Sequence, residues 1–474
     1  MKNKTLCILT MKTIIIMLLF LLGDNLGAQT ILSSRNISLK KPASEQQFLA
    51  FRNTSNNSIV AIASDKEKII ASKYNNAVFF KDSIIIKKPE KKFKFIAGYN
   101  FNDDQNPTLY YATEDYKNIQ GITINFAAKT SASTFFTLST IDKELFISSF
   151  TENNIFYMLT ATTTKSELQL YIFQNNKLET KTLDFSRFEW RYTNKKTTLS
   201  DLITENPITI TDKDMPNTIL TVAAKSKFYI ADNNIIITFD HNVDQTQAYT
   251  INLNTFEIKE NILPQPDLQK AGVSNSFYWD KKLFQLKLNQ QQMVFTVKDF
   301  ISGTGIKTFT VFEKDTVAFK NSLFFSQNGT QRSTIIKDTQ KFLKKAAASD
   351  VGISVYKHRK HYLVTIGGST WSASTAGILM GIAGGILTDG DVSGITNDQV
   401  LQTVYFESVF DDDFNPKQLS QLPLAADGIN NFLNSNDDLK GISVFKFKDF
   451  YILGYYDPKA KQYIMRKFQD GVWY

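Results

Sequence analysis

The sequence predicts an all-β fold assembled from one repeated unit of short strands, and three observations carry that expectation. Aromatic residues are plentiful, 38 Phe and 19 Tyr, and they occur with many Ile and Thr, side chains that suit pleated, half-buried strands. Helical periodicity is nearly absent, while strands of about five residues alternate with turns rich in Asn, Asp, Gly and Lys. A unit then recurs along the chain: an aromatic strand, a polar turn, an apolar strand, and a second tight turn about 20 residues later.

The unit stands out at Phe150–Tyr157, turning at Asn153-Asn154, with its second turn at Asn175-Asn176. It returns at Phe228–Ile236, turning at Asp232-Asn233, followed by Ile251–Phe256. A third copy is Phe447–Ile452, followed by Lys467–Trp473. Weaker copies of the first turn precede Ile69, Leu109, Leu283, Leu323 and Tyr362. Successive landmarks lie about 40–50 residues apart. The exceptions are the gaps from Ile155 to Ile235 and from Tyr362 to Phe450, each a doubled repeat or a repeat carrying an insertion. A period of that length filled by four short strands resembles the β-propellers, and the chain looks like a degenerate member of that class without recurring Trp-Asp or kelch-type motifs. The resemblance implies seven or eight four-stranded blades over residues 45–474; tandem β-sandwich domains are the alternative. Short helices are expected around Asp338–Ala348 and Pro416–Asn434. The final stretch Val472–Tyr474 suits closure of a ring, and Gln46–Phe51 either completes the same last blade or begins the first. No Pro/Gly/Ser-rich linker divides the chain, so one domain is expected after a lead-in at 29–44.

The first residues carry an address. Lys2, Lys4 and Lys12 precede an apolar run at Thr13–Leu22, and Leu26-Gly27-Ala28 supplies small residues at a cleavage site. This is the pattern of a secretory signal peptide over 1–28, with an apolar core too short to span a bilayer. The mature chain is expected to begin at Gln29, outside the cytoplasm. Cys7, the one cysteine, leaves with the signal, so no disulfide can form; about 446 residues bury enough core without one. Loss of Lys2, Lys4, Lys12 and Asp24 lowers the formal charge from +8 to +6, a mild excess that, with secretion, argues against a nucleic-acid partner. The basic run Lys87–Lys94 reads as a solvated inter-strand loop.

Catalytic patterns are thin. His358 and His361 lie in a basic turn, and His241 stands between Asp240 and Asn242; all three read as solvated turn residues rather than metal ligands. There is no HExxH, GxSxG or P-loop motif, so a non-catalytic protein with no cofactor is expected. Asp389, Asp391 and Ser393 match the start of a calcium loop with Gly394 at its sixth position, but the twelfth position is Val400 where a bidentate Glu belongs. That leaves at most a weak metal site, and a Gly/Asp turn is the better reading. Asp411-Asp412-Asp413 reads as a solvated loop.

One segment is unlike the rest. Trp371–Leu387 carries no charge and is dominated by small and apolar side chains, at the head of an expected insertion over 371–395. It reads either as packed strands in which glycine permits close approach or as a docking loop. In the second case Trp371, Ile378, Leu379, Met380, Ile382, Ile386 and Leu387 are the partner-binding candidates. The sequence therefore predicts a non-catalytic exported propeller acting as a protein-interaction subunit, periplasmic or associated with the outer membrane, with extracellular release as the alternative. Docking on an outer-membrane protein or translocon, without a transmembrane span of its own, is the expected role. In address and loop character the chain is similar to accessory and plug-like subunits of secretion translocons in gliding Gram-negative bacteria. A glycan-binding propeller, or a propeller glycosidase or lyase, is the alternative function.

Overall fold

The computed structural model describes residues 30–138, 141–190, 197–328, 332–370, 401–419 and 423–472. The chain folds as a seven-bladed β-propeller. Strand β1 (Ile31–Asn36) comes first and belongs to the last blade. Blade 1 contains β2 (Gln47–Arg52), β3 (Ile59–Ser64), β4 (Lys68–Tyr74) and β5 (Phe80–Lys87). Blade 2 contains β6 (Phe95–Phe101), β7 (Pro107–Ala112), β8 (Asn118–Asn125) and β9 (Thr130–Thr137). Blade 3 contains β10 (Glu144–Glu152), β11 (Ile155–Thr162), β12 (Glu167–Gln174) and β13 (Lys177–Asp184). Blade 4 adds a short β14 (Thr209–Ile210) to β15 (Ser226–Ala231), β16 (Asn234–Phe239), β17 (Gln245–Asn252) and β18 (Ile258–Pro264). Blade 5 contains β19 (Val273–Trp279), β20 (Lys282–Leu288), β21 (Gln292–Asp299) and β22 (Gly305–Phe312). Blade 6 is built from β23 (Phe324–Asn328), β24 (Thr334–Ile336), β25 (Asp350–His358), β26 (His361–Thr370) and β27 (Gln402–Phe410), in the order β24-β23-β27-β26-β25. Blade 7 joins β28 (Lys440–Phe447), β29 (Phe450–Asp457) and β30 (Gln462–Phe468) to β1.

The repeat seen in the sequence is the hairpin between the first two strands of a blade. Asn153-Asn154, Asp232-Asn233 and Asp280-Lys281 all hold positive φ at both turn positions, the requirement of a tight hairpin turn whose twist matches the strands. Asn and Asp tolerate that left-handed region best. The landmarks at Leu109, Ile155, Ile235, Leu283, Tyr362 and Phe450 all follow this first turn. Ile69 instead follows the second turn of blade 1, and Leu323 precedes β23 without any hairpin. The wide gaps are therefore single repeats with insertions, and the blades number seven rather than eight.

First strands of neighbouring blades contact one another, as β2 does β28, β6 does β10 and β19 does β25, which places them innermost around the axis. Between blades lie apolar layers. Phe156 of blade 3 stacks on Tyr110 of blade 2 at 4.9 Å; a Cβ on Gly98 would lie 2.0 Å from the Phe156 ring, so only glycine admits that packing. Ring closure differs from the expectation for the C-terminus. Val472 lies outside any strand, and β1 instead pairs antiparallel with β30 from Ile31↔Arg466 to Asn36↔Gln462. Gln47–Arg52 opens blade 1. The closing seam is held by Phe48 stacked on Tyr456 at 4.8 Å and by Ala50 N donating to Ser443 Oγ at 3.0 Å.

Four helices are described: α1 (Leu199–Glu205), α2 (Ile219–Ala223), α3 (Thr339–Ala346) and α4 (Ala425–Asn434). The last two fall in the expected regions. Asp338 caps α3 by accepting from Lys341 N at 2.8 Å, an ordinary N-cap. Helix α4 starts later than Pro416 because Lys417 N donates to Val409 O, which keeps that stretch on the edge of β27. No helix among the described residues is long and apolar enough to cross a membrane.

Candidate functional site

The gap between Ile155 and Ile235 contains an insertion that rises inside the ring. β14 pairs parallel to β15, on its inner side, with Thr209 opposite Lys227 and Ile210 opposite Phe228. The chain turns over a crest at Asp212–Met215, where Asp212 Oδ1 accepts from the amides of Asp214 and Met215. On the far side Tyr451 of blade 7 donates to Asp214 O at 2.5 Å, and Ser354 of blade 6 donates to Asn217 O at 2.7 Å. Helix α2 then descends along β25, where a Cβ on Gly352 would lie 2.8 Å from Ala223 N. Polar crest residues thus find partners on blades that are remote in sequence.

Above the crest lies a cavity of about 730 Å³ at the face carrying the first hairpin turns. The ends of the inner strands of blades 3 to 7 line it, and the crest residues Thr211–Asp214 floor it. Towards blades 1 and 2 an asparagine belt closes the ring. Asn154 Nδ2 donates to Asn53 Oδ1 at 3.0 Å and to Ser55 Oγ at 2.9 Å, and Asn53 Nδ2 donates to Gln105 Oε1 at 2.8 Å. Blades 3 to 5 contribute Glu152, Asp232 and Asp280 to the mouth, and blades 6 and 7 contribute Lys357, Arg359 and Lys446. Glu152 is taken by Lys213 at 2.6 Å and Lys357 by Asp412 at 2.9 Å. Asp212 opens onto the cavity yet is crowded by protein, and that desolvation pushes its carboxyl above the ordinary range. Trp279, half-buried, forms part of the wall.

The foot of the insertion is fastened by a fully buried ion pair between blades 4 and 5. Lys227 Nζ donates to Asp240 Oδ2 at 2.9 Å, to Ala224 O at 2.7 Å and to Asn275 Oδ1 at 2.5 Å. Asp240 also accepts from Thr246 Oγ1 and Ser276 Oγ at 2.7 and 2.9 Å. Burial opposes charge on both partners and pulls the Lys227 ammonium down. On Asp240 that same burial is outweighed by Lys227, Thr246 and Lys225, which hold the carboxyl below its usual value. Three acceptors around Nζ keep the lysine an ammonium, so the site is an ion pair.

His241 sits beside this pair, part-buried rather than solvated, with Nε2 3.0 Å from Ser226 Oγ. Burial first, then Lys225 and Lys227, lower its pKa to about 4 against the pull of Asp240. The unfolded chain therefore takes up a proton near pH 6.5 that the folded chain refuses until about pH 4. Stability falls as pH drops through that window, by up to about 3 kcal/mol. Urea unfolding of the protein and of His241→Gln at pH 7.5 and pH 5 checks this: the variant is expected to lose less stability on acidification, and parallel losses would refute it.

A second hydrogen-bonded chain ties the crest to the C-terminus. With the Tyr451 proton given to Asp214 O, the single Tyr356 proton lies between two acceptors, Tyr451 Oη at 2.7 Å and Asp470 Oδ2 at 2.5 Å, and Asp470 Oδ1 accepts from Ala425 N at the start of α4. His358 Nδ1 lies 3.1 Å from the same Asp470 oxygen, so His358 too is a part-buried structural residue and not a solvated one. His361 opens β26 nearby. Asp411 caps the 411–415 turn, and a hydrogen bond from Lys417 at 2.7 Å leads the interactions that bring its carboxyl to about 2. The metal candidates Asp389, Asp391 and Ser393 and the docking candidates Trp371, Ile378, Leu379, Met380, Ile382, Ile386 and Leu387 lie outside the described residues. The sequence marks Asn153 and Asp232-Asn233 only as turns and singles out none of the mouth residues as a site; the wide gap after Ile155 is the signal that points to the crest.

No family model and no curated protein matches the chain. Among solved structures, the Dos1 propeller is 8% identical with a TM-score of 0.28, covering 89% of this chain and 78% of that one. The WD40 domain of SCAP from fission yeast is 8% identical with a TM-score of 0.30, covering 92% and 89%. Dihydro-heme d1 dehydrogenase NirN is 12% identical with a TM-score of 0.26, and the chain spans about half its length, 48%. Likenesses this distant carry no argument about chemistry, and the fold rests on the sheet order itself.

Proposed function

We propose that this chain is an exported, non-catalytic binding propeller that docks a protein partner of the outer membrane in an accessory or plug-like role. The observation supporting this reading most is the mouth: a charged, aromatic-walled cavity whose lining includes the crest of the chain's own insertion. Such a cavity has room for a loop or chain end.

A glycan-binding or glycan-cleaving propeller is the second reading, favoured by Trp279 and the carboxylates of Asp212 and Asp214 at one cavity. Against a catalytic role, Asp212 already serves the crest turn and Glu152 is paired.

Replacing Gly377–Leu387 with a short Gly-Ser turn tests the docking role. The melting temperature is expected to stay unchanged while recovery of a stoichiometric partner from detergent-solubilised envelope is lost. A deletion variant that unfolds would instead assign the segment to packing, since buried apolar surface contributes about 25 cal/mol per Å².

A further inference from the structure

The charges of the mouth do not cancel internally. Lys213 and Lys357 are each committed to a carboxylate, Glu152 and Asp412. On the crest, the Asp212 and Asp214 carboxylates have no cation partner among the described residues; Asp212 is held only by backbone amides. On the blade 6 and 7 side, Arg359 and Lys446 have no carboxylate partner among the described residues, and Lys446 is only placed over the Tyr451 ring at 6.0 Å. Ring order sets blade 3 across from the seam of blades 6 and 7; Glu152, Asp232 and Asp280 on blades 3 to 5 are paired with Lys213, Lys281 and Lys282, so the unpaired cations lie on the blade 6 and 7 arc of the mouth and the unpaired anions on its crest.

We infer that the mouth binds a dipolar peptide segment, one whose cationic side chain meets Asp212 and Asp214 while an anionic group a few residues away meets Arg359 and Lys446. This deepens the proposed function and rests on the mouth being a polypeptide-binding site. A purely anionic ligand would satisfy the cations and be repelled by the crest; a purely cationic one would meet the reverse. Only a ligand of both signs gains at each end, and charge complementarity of this kind sets orientation as well as choice of partner. The volume, about 730 Å³, lies within the range of ligand cavities. Trp279 offers a face for the cationic side chain or the peptide stem. Desolvation of Asp212 fits the same account, because an arriving cation relieves a crowded carboxylate.

The test uses the full mature chain and three capped, fluorescein-labelled octapeptides of neutral residues: one with a Lys and a Glu separated by three positions, one with two Lys, one with two Glu. Fluorescence anisotropy should show the dipolar peptide binding at least tenfold more tightly than either other, and Arg359→Glu/Lys446→Glu should transfer the preference to the di-Lys peptide. Circular dichroism and melting of the variant, altered at surface and half-buried positions, confirm its fold. Equal binding of dipolar and single-sign peptides, or none of the dipolar one, overturns the inference. If peptide preference fails while the double variant still loses its envelope partner, only the dipolar assignment falls; if neither responds to the variant, the mouth is not the binding site and the proposed function falls with it.

Discussion

Asp240→Ala is expected to lower the unfolding free energy by about 3–5 kcal/mol, the cost of leaving a buried charge unpaired. Lys227 and Asp240 both have wholly buried side chains. Removing the carboxylate strands the Lys227 ammonium and frees Thr246 Oγ1 and Ser276 Oγ, which donate to Asp240. It also loosens the foot of the insertion, since Lys227 and Asn275 together hold the carbonyls of Ala223 and Ala224. Urea denaturation of wild type, Asp240→Ala and the double variant Asp240→Ala/Lys227→Met checks the result. The double variant should recover part of the loss, because two apolar groups leave no unpaired charge. Equal stability of all three proteins would remove the ion pair from the account.

Deleting Ile31–Asn36 should cost roughly 3–6 kcal/mol, from five paired positions with β30 and net hydrogen-bond contributions near 1 kcal/mol each. The strand also links its blade to blade 1, where Arg35 donates to Ser83 Oγ at 2.8 Å and lies over Phe80 at 4.0 Å. Without β1, β30 becomes an open edge that pairs with other chains, so the truncated protein should associate in a concentration-dependent way. Adding a synthetic peptide of residues 30–38 should restore a monomer. A truncated protein that stays monomeric with unchanged unfolding would show that β1 does not close the ring.

The parts of the fold legible in the sequence are those encoded locally. Asn153-Asn154 and Asp232-Asn233 announce hairpins because few other residues accept left-handed backbone, and aromatic strands beside them announce faces to be buried. What escaped is encoded over long separations. β1 pairs with a strand at the other end of the chain, and nothing in Ile31–Asn36 itself names that partner. Lys227 stands in a strand where a lysine would be read as solvent-facing; Asp240 and Asn275, on other strands and turns, make its burial tolerable. The crest at Asp212–Met215 has the composition of a surface loop, and its place inside the ring depends on Tyr451 and Ser354. The histidines illustrate the same limit: His241 and His358 gain their surroundings from Ser226 and Asp470, the latter more than a hundred residues away.

Affinity recovery from detergent-solubilised envelope, with wild type beside Arg359→Glu/Lys446→Glu, tests whether the propeller holds a partner at its mouth. A stoichiometric partner is expected with wild type, and its loss with a variant that melts at the same temperature. A wild-type protein recovered alone, or a partner retained undiminished by the variant, would contradict it.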